Sequence, residues 1–162
     1  MDFEKKAKKF ASNLYNGQFR ADGKTPYIEH LRAVVNLLKK IGVTDKNILC
    51  AAWLHDVIED CNISRAKLSF EFNSEVARIV FNLTRNVNRR AYKKRINNAS
   101  YAVKIVKLAD VIHNVSELNK GATKRMVERK LKDCNSFYLP LAEDTSLEFY
   151  RKLKENVEKI IS

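Results

Sequence analysis

A chain of 162 residues with 31 lysines and arginines against 19 aspartates and glutamates carries a net charge of +12, which points to an anionic partner: a nucleic acid, a phosphate-rich small molecule or a membrane surface. No run of eighteen apolar residues occurs to span a bilayer, and Met1-Asp2-Phe3-Glu4-Lys5-Lys6 lacks the apolar stretch of a signal peptide, so a cytoplasmic protein with no membrane partner is expected. Cys50, Cys61 and Cys134 are odd in number and have no metal-like spacing, which fits a reducing compartment without disulfides.

Four glycines and two prolines in the whole chain, with leucine, lysine, alanine, isoleucine and asparagine abundant, predict an all-α domain with few tight turns. Phe3, Ala7, Phe10, Ala11 and Leu14 recur at helical period, with Lys5, Lys6, Lys8 and Lys9 on the wet side. Gly17, Gly23 and Pro26 break that period, so 16–26 reads as a structured loop. A second helix starts at Tyr27, buries Leu31, Val34, Val35 and Leu38, carries His30 in its first turn and ends near Gly42. Asp45 is the expected N-cap of a helix over 46–59. Ser64 is placed to cap a short helix to Phe70, and Ser74 another from Glu75 to Leu83. From Arg85 to Arg95, six residues in eleven are basic, which suits a solvated linker or a mobile clamp for phosphates equally. Ser100 to Leu118 forms a helix whose wide apolar face is interrupted by Asp110. Two further amphipathic helices, 122–134 and 146–161, are separated by Tyr138-Leu139-Pro140-Leu141. With no repeat and no boundary, 1–162 reads as one domain, long enough to build a core.

The stretch Ala51 to Cys61 makes the strongest physical demand. Ala51, Leu54 and Ile58 share one helical face and Trp53 and Val57 an adjoining one, so most of this helix requires burial. On the remaining stripe His55 stacks under Glu59, and Asp56 under Asp60, each pair four residues apart. Three carboxylates and an imidazole on so apolar a helix repel one another and lose hydration, at several kcal/mol per unpaired ion. A divalent cation is the simplest compensation, with the leftover carboxylates free for proton transfer. Asp110, with Asn114 one turn on, poses the same problem on its own helix, whereas His30 alone would be an ordinary structural histidine. Together His30, His55, Asp56 and Asp110 offer two nitrogens and two carboxylates, a set that suits Mn²⁺, Fe²⁺ or Zn²⁺ better than a dedicated Mg²⁺ or Ca²⁺ site.

The order His30, His55-Asp56, Asp110 resembles the H…HD…D pattern of the HD-domain superfamily of metal-dependent phosphohydrolases, which implies an all-α helical bundle. Gly17-Gln18-Phe19-Arg20, Gly23, Pro26-Tyr27-Ile28 and His30 resemble the G-Q-x-R…G-x-P-Y-I-x-H motif of the hydrolase domain in the RelA/SpoT alarmone enzymes and their small single-domain relatives. Leu54-His55-Asp56-Val57-Ile58-Glu59-Asp60 is similar to that family's L-H-D-x-x-E-D, Val106 to Asp110 with His113-Asn114 to its V-K-L-A-D-x-x-x-N, and Leu83-Thr84 to its L-T. The match covers about 3–118 and leaves the helices of 122–161 outside it.

The resemblance implies removal of the 3′-pyrophosphate of guanosine tetra- or pentaphosphate, giving GDP or GTP and pyrophosphate, usually with one Mn²⁺. It puts His30, His55, Asp56 and Asp110 on the metal, Glu59 and Asp60 on the attacking water and the leaving oxygen, and Arg20 and Asn114 on the nucleotide. Lys107, Arg89 and Arg90 are further candidates for the substrate's phosphates. At this length no room is expected for the synthetase domain of the long enzymes. Tyr15, Ala21, Leu31 and Val111 stand where the family commonly has His, Lys, Pro and Arg, and since Tyr15 and Ala21 fall where the base is expected, base specificity stays open. Two other readings compete: an HD phosphohydrolase of another nucleotide or of a phosphorylated dinucleotide cofactor, and a basic nucleic-acid-binding module without catalysis. Intact acidic residues disfavour the nucleic-acid partner, because only a cation compensates them. Homo-oligomerisation is left open.

Overall fold

The computed structural model describes residues 2–162. Among them every regular element is a helix, and the one β feature is an isolated bridge between Phe19 and Pro26. In chain order the helices are α1 (Phe3–Leu14), α2 (Tyr27–Lys40), α3 (Lys46–Leu54), α4 (Val57–Cys61), α5 (Arg65–Glu71), α6 (Ser74–Leu83), α7 (Arg89–Asn97), α8 (Tyr101–Ser116) and α9 (Lys124–Asp133). A π-helical turn (Cys134–Tyr138) then leads into α10 (Leu139–Thr145), and α11 (Leu147–Ile161) closes the chain.

Helix α8 is the post around which the bundle forms. It buries Val103, Ile105, Val106, Leu108, Ala109, Val111, Ile112 and Val115, and a helix apolar on so many sides is stable only when surrounded. α2, α3, α6, α10 and α11 pack on it, while α1 lies against α3 through Ala7 and Ala11. α2, α3 and α8 also pack pairwise on one another, so a side chain from each can reach a common point.

Four sequence expectations are corrected. The single helix expected over 46–59 stops at Leu54 and restarts at Val57, with Asp56 at φ −104° and ψ −3°, in the sparsely populated bridge region. On an unbroken helix, consecutive side chains diverge by about 100° and do not face each other. The break lets His55 and Asp56 turn to the same side. Asn73, not Ser74, caps α6, its side chain accepting the Val76 N–H at 2.8 Å. The basic run is neither linker nor loop over its second half: Asn88 caps α7, and Tyr92 and Ile96, four apart, bury themselves and anchor it, with the Tyr92 hydroxyl donating to the Leu83 carbonyl at 2.8 Å. Pro140 does not separate the last two helices either. It sits in the first turn of α10, where its missing N–H costs nothing, and the chain breaks instead at Ser146, which caps α11.

Asp45 caps α3 as expected, accepting from Asn47 N at 2.8 Å and Ile48 N at 3.2 Å. Asp45→Ala should therefore cost about 1 kcal/mol, read as a lower urea midpoint at unchanged slope. An unaltered midpoint would show that α3 is held by packing alone.

Candidate active site

The break between α3 and α4, the first turn of α2 and the middle of α8 meet at one buried point. His55 Nε2 lies 3.0 Å from Asp56 Oδ2 and 3.7 Å from Asp110 Oδ1, and His30 Nε2 lies 3.2 Å from Asp110 Oδ1 and 3.9 Å from Asp56 Oδ2. Both Nε2 atoms are buried, and neither has a properly aligned hydrogen-bond partner. The far side of the His55 ring fixes its tautomer: Nδ1 lies 2.8 Å from the Ala52 carbonyl, which can only accept, so Nδ1 carries a proton and the neutral ring offers a lone pair at Nε2. His30 Nδ1 is 2.8 Å from His113 Nδ1. His30, His55 and Asp56 bring ligand atoms within 4.8 Å of one another, and Asp110 lies 3.2 and 3.7 Å from the two imidazole nitrogens; such a donor set fits a divalent cation with mixed nitrogen and oxygen ligands.

The local charges say the same. Burial works against ionising Asp110, but the Lys107 ammonium at 2.8 Å, with both histidines, holds its carboxyl well below the ordinary range. Burial likewise opposes charge on Asp56, yet His55 and the Tyr27 hydroxyl, donating at 2.6 Å, bring it down to about 2. Burial disfavours the imidazolium of His55, but Asp56 and Asp110 override it and raise its pKa well above that of a free histidine. His30 is lowered, chiefly by burial. Two ionised carboxylates thus share this point with one buried ammonium, and a further positive charge is stabilised between the rings.

Around this centre the remaining candidates fall into place unevenly. Arg20 sits on the 15–26 loop, which Asp22 ties by accepting the Lys24 and Thr25 N–H groups, both at 2.9 Å. Its guanidinium donates to Asn114 Oδ1 at 2.7 Å, and Asn114 Nδ2 donates to Asp110 at 2.6 Å, so nucleotide and metal candidates form one chain. Glu59 is engaged on both oxygens by Arg85, through its backbone N–H at 3.0 Å and its guanidinium at 3.0–3.2 Å. Asp60 accepts from the Tyr15 hydroxyl at 3.3 Å, and burial, then Asp56, pushes its pKa up. Tyr15 is itself buried, stacked on Tyr27 with ring centroids 4.5 Å apart, and supports the ring that binds Asp56.

Three cavities meet here. The centre, of about 150 Å³, is lined by the four candidate ligands with Tyr27, Glu59, Asp60, Arg85, Lys107, Asn114 and Lys130. A trough of about 500 Å³ continues from Glu59, Arg85, Lys107 and Lys130 to Arg89, Lys93 and Arg129. A third pocket, of about 230 Å³, carries Ala21, Leu118, Ala122 and Met126 alongside Arg20 and Asn114. Lys130 borders all three. Of the residues proposed for phosphates, Lys107 and Arg89 line the trough, Arg89 pairing with Asp133 together with Lys93. Arg90 is exposed and lines none of the three. Ala21 borders the third pocket and Tyr15 does not. The sequence carried no signal for Lys130, Arg129 or Met126, which lie on an ordinary amphipathic helix. Tyr27 was legible in the motif but without a role, and His113 stood unassigned beside Asn114.

Residues 7–145 match the family model described as the HD domain. The chain belongs to the HD domain family. Among proteins related to this HD domain, guanosine-3′,5′-bis(diphosphate) 3′-pyrophosphohydrolase MESH1 of Xenopus tropicalis is 31% identical over 78% of the chain and 75% of its own length. The protein of that name from Homo sapiens is 30% identical over 76% and 74%. A guanosine-3′,5′-bis(diphosphate) 3′-pyrophosphohydrolase of Borreliella burgdorferi is 33% identical over 85% of the chain, and there the match covers only 22% of the relative. The solved structure of a metazoan ortholog of SpoT, described as hydrolysing ppGpp, superposes with a TM-score of 0.86 over 98% of this HD domain and 96% of that chain; its 24% identity speaks for the fold alone.

A cation that binds only the folded protein stabilises it. Mn²⁺ at a hundred times its dissociation constant should add about 2.7 kcal/mol to the unfolding free energy, and His55→Ala should lose that increment. Asp110→Asn should lose it too and additionally cost about 3–5 kcal/mol by leaving the Lys107 ammonium unpaired. An unchanged Mn²⁺-dependent melting shift in either variant would contradict the ligand set.

Proposed function

We propose that this HD domain is a metal-dependent pyrophosphohydrolase that removes the 3′-pyrophosphate of guanosine tetra- or pentaphosphate, releasing GDP or GTP and pyrophosphate, with Mn²⁺ as its cofactor. The observation that carries this is the adjacency of three differently lined spaces that share Lys130: a nitrogen and carboxylate centre, a cationic trough, and a pocket where Ala21, Leu118, Ala122 and Met126 add apolar surface beside Arg20 and Asn114. A nucleoside bearing phosphates at both ends has the matching sequence of chemistries. The names borne by the relatives agree with it.

His30, His55, Asp56 and Asp110 hold the cation. When bound, it supplies positive charge to the phosphoryl oxygens and acidifies the water beside it. The protein's own groups do the rest. Glu59, its orientation set by Arg85, positions the attacking water. Asp60, on the adjacent edge of the centre, takes the proton of that water and returns one to the 3′-oxygen as its bond to phosphorus breaks. Arg20 turns a partly buried guanidinium toward the nucleoside pocket, backed by the Tyr27 ring at 5.6 Å, and Asn114 ties that arm to Asp110. Arg85, Arg89, Lys93, Arg129 and Lys130 neutralise the remaining phosphates, the contribution that dominates phosphoryl transfer.

The test is a panel of nucleotide polyphosphates and phosphorylated dinucleotide cofactors with Mn²⁺, scored for pyrophosphate against orthophosphate. Guanosine tetraphosphate should give pyrophosphate, whereas orthophosphate from a dinucleotide as the main product would displace this reading. Glu59→Gln should keep the Mn²⁺ melting shift while kcat falls by about 10²-fold or more; full turnover would leave Asp60 as the only acidic participant. Replacing Arg129 and Lys130 by alanine should raise KM most at low salt, and replacing Arg90 and Lys94 should not. Equal effects of the two pairs would mean that net charge, not the trough, attracts the substrate.

A further inference from the structure

Behind the proposed metal centre, on the side away from the cleft, His30 meets a second imidazole. His113 Nδ1 lies 2.8 Å from His30 Nδ1, with the ring centroids 4.9 Å apart and the planes tilted by 46°. Two ring nitrogens at that distance share one proton, so one ring donates and the other accepts. We infer that His113 is a positioning residue: by accepting the Nδ1 proton of His30 it holds that ring in the tautomer whose Nε2 lone pair faces the cation, and metal affinity depends on it although it is not a ligand.

The inference rests on the reading of His30 as a ligand. Histidine binds a metal through an unprotonated nitrogen, so a neutral His30 that uses Nε2 must carry its proton on Nδ1. His55 achieves this by donating to the Ala52 carbonyl at 2.8 Å. His30 sits in the first turn of α2, and the partner within reach of its Nδ1 is the lone pair of His113, one turn beyond Asp110 on α8. His113 must then carry its own proton on Nε2. There is room for that group: the ring borders a cavity of about 300 Å³ whose lining includes Asn36, Ser116 and Asn156, all able to accept. With the protons reversed, His30 Nε2 would carry a hydrogen 3.2 Å from Asp110 Oδ1 and have no lone pair left for the cation. The choice of tautomer is therefore the choice between a metal site and a histidine–aspartate pair. Glu117, 3.9 Å from His113 Nδ1, is too far to replace the contact directly and is engaged with Arg20 at 3.4 Å.

Calorimetric titration of Mn²⁺ into wild type, His113→Leu and His113→Asn tests this. Leucine keeps much of the volume and has no acceptor, whereas asparagine can place its Oδ1 near the position of Nδ1. His113→Leu should weaken binding by about 10–100-fold, with affinity largely restored in His113→Asn, and both should melt near each other in chelator. Wild-type affinity in His113→Leu overturns the inference while leaving the ligand reading intact. No Mn²⁺ binding by wild type overturns the ligand reading first. Should His113→Leu fail to fold, ¹⁵N ring spectra of the Zn²⁺-loaded wild type decide alone: a proton on His30 Nδ1 and on His113 Nε2 supports the assignment, and a proton on His113 Nδ1 refutes it.

Discussion

Two largely buried imidazole nitrogens, each within 4 Å of the same two carboxylates, are not a stable arrangement unless positive charge joins them. Lys107 supplies one such charge, to the outer oxygen of Asp110. The inner faces remain turned toward each other, and the two Nε2 atoms lack aligned partners. Much of the rest of the protein serves to hold these four groups in place. α8 is buried on nearly every side because Asp110 must be presented from the middle of a fixed helix, and α2 and α3 pack on it and on each other so that their side chains arrive at the same point.

The contacts around these four groups follow from that demand. Tyr27 donates to Asp56 and is stacked on Tyr15, which in turn donates to Asp60. Asn114 bonds Asp110 with its amide nitrogen and Arg20 with its oxygen. The loop carrying Arg20 is closed by Asp22 and by Gly23, whose φ of 68° a residue with a side chain adopts only under strain. Each group near the centre is thus fixed by another, and Arg20 is continuous through Asn114 with Asp110. Preorganisation of this kind lets charge develop in a reaction without the surroundings having to reorganise.

What the sequence made legible was the conflict of charge with apolar surroundings. His55, Asp56 and Asp110 stand out because they belong to stretches with wide apolar faces, and the all-α class follows from the scarcity of glycine and proline. The break at His55-Asp56 was not legible, since neither glycine nor proline marks it; it arises because adjacent side chains must face one way. The second half of the basic run looked unstructured because its charges mask Tyr92 and Ile96, the two residues that anchor it as a helix. Lys130 and Arg129 were invisible for the opposite reason: an amphipathic helix always has a charged face, and only packing through the π-helical turn decides that this one lines a cleft. Tyr15 is buried and stacked on Tyr27, a packing role that its place in the motif did not reveal.

The central claim is that one cation sits where these four side chains converge. Anomalous diffraction at the manganese edge from crystals grown with Mn²⁺ measures it directly. The account predicts a single strong peak bounded by His30 Nε2, His55 Nε2, Asp56 and Asp110. A peak elsewhere, or none at this point with the four side chains unchanged, would contradict it.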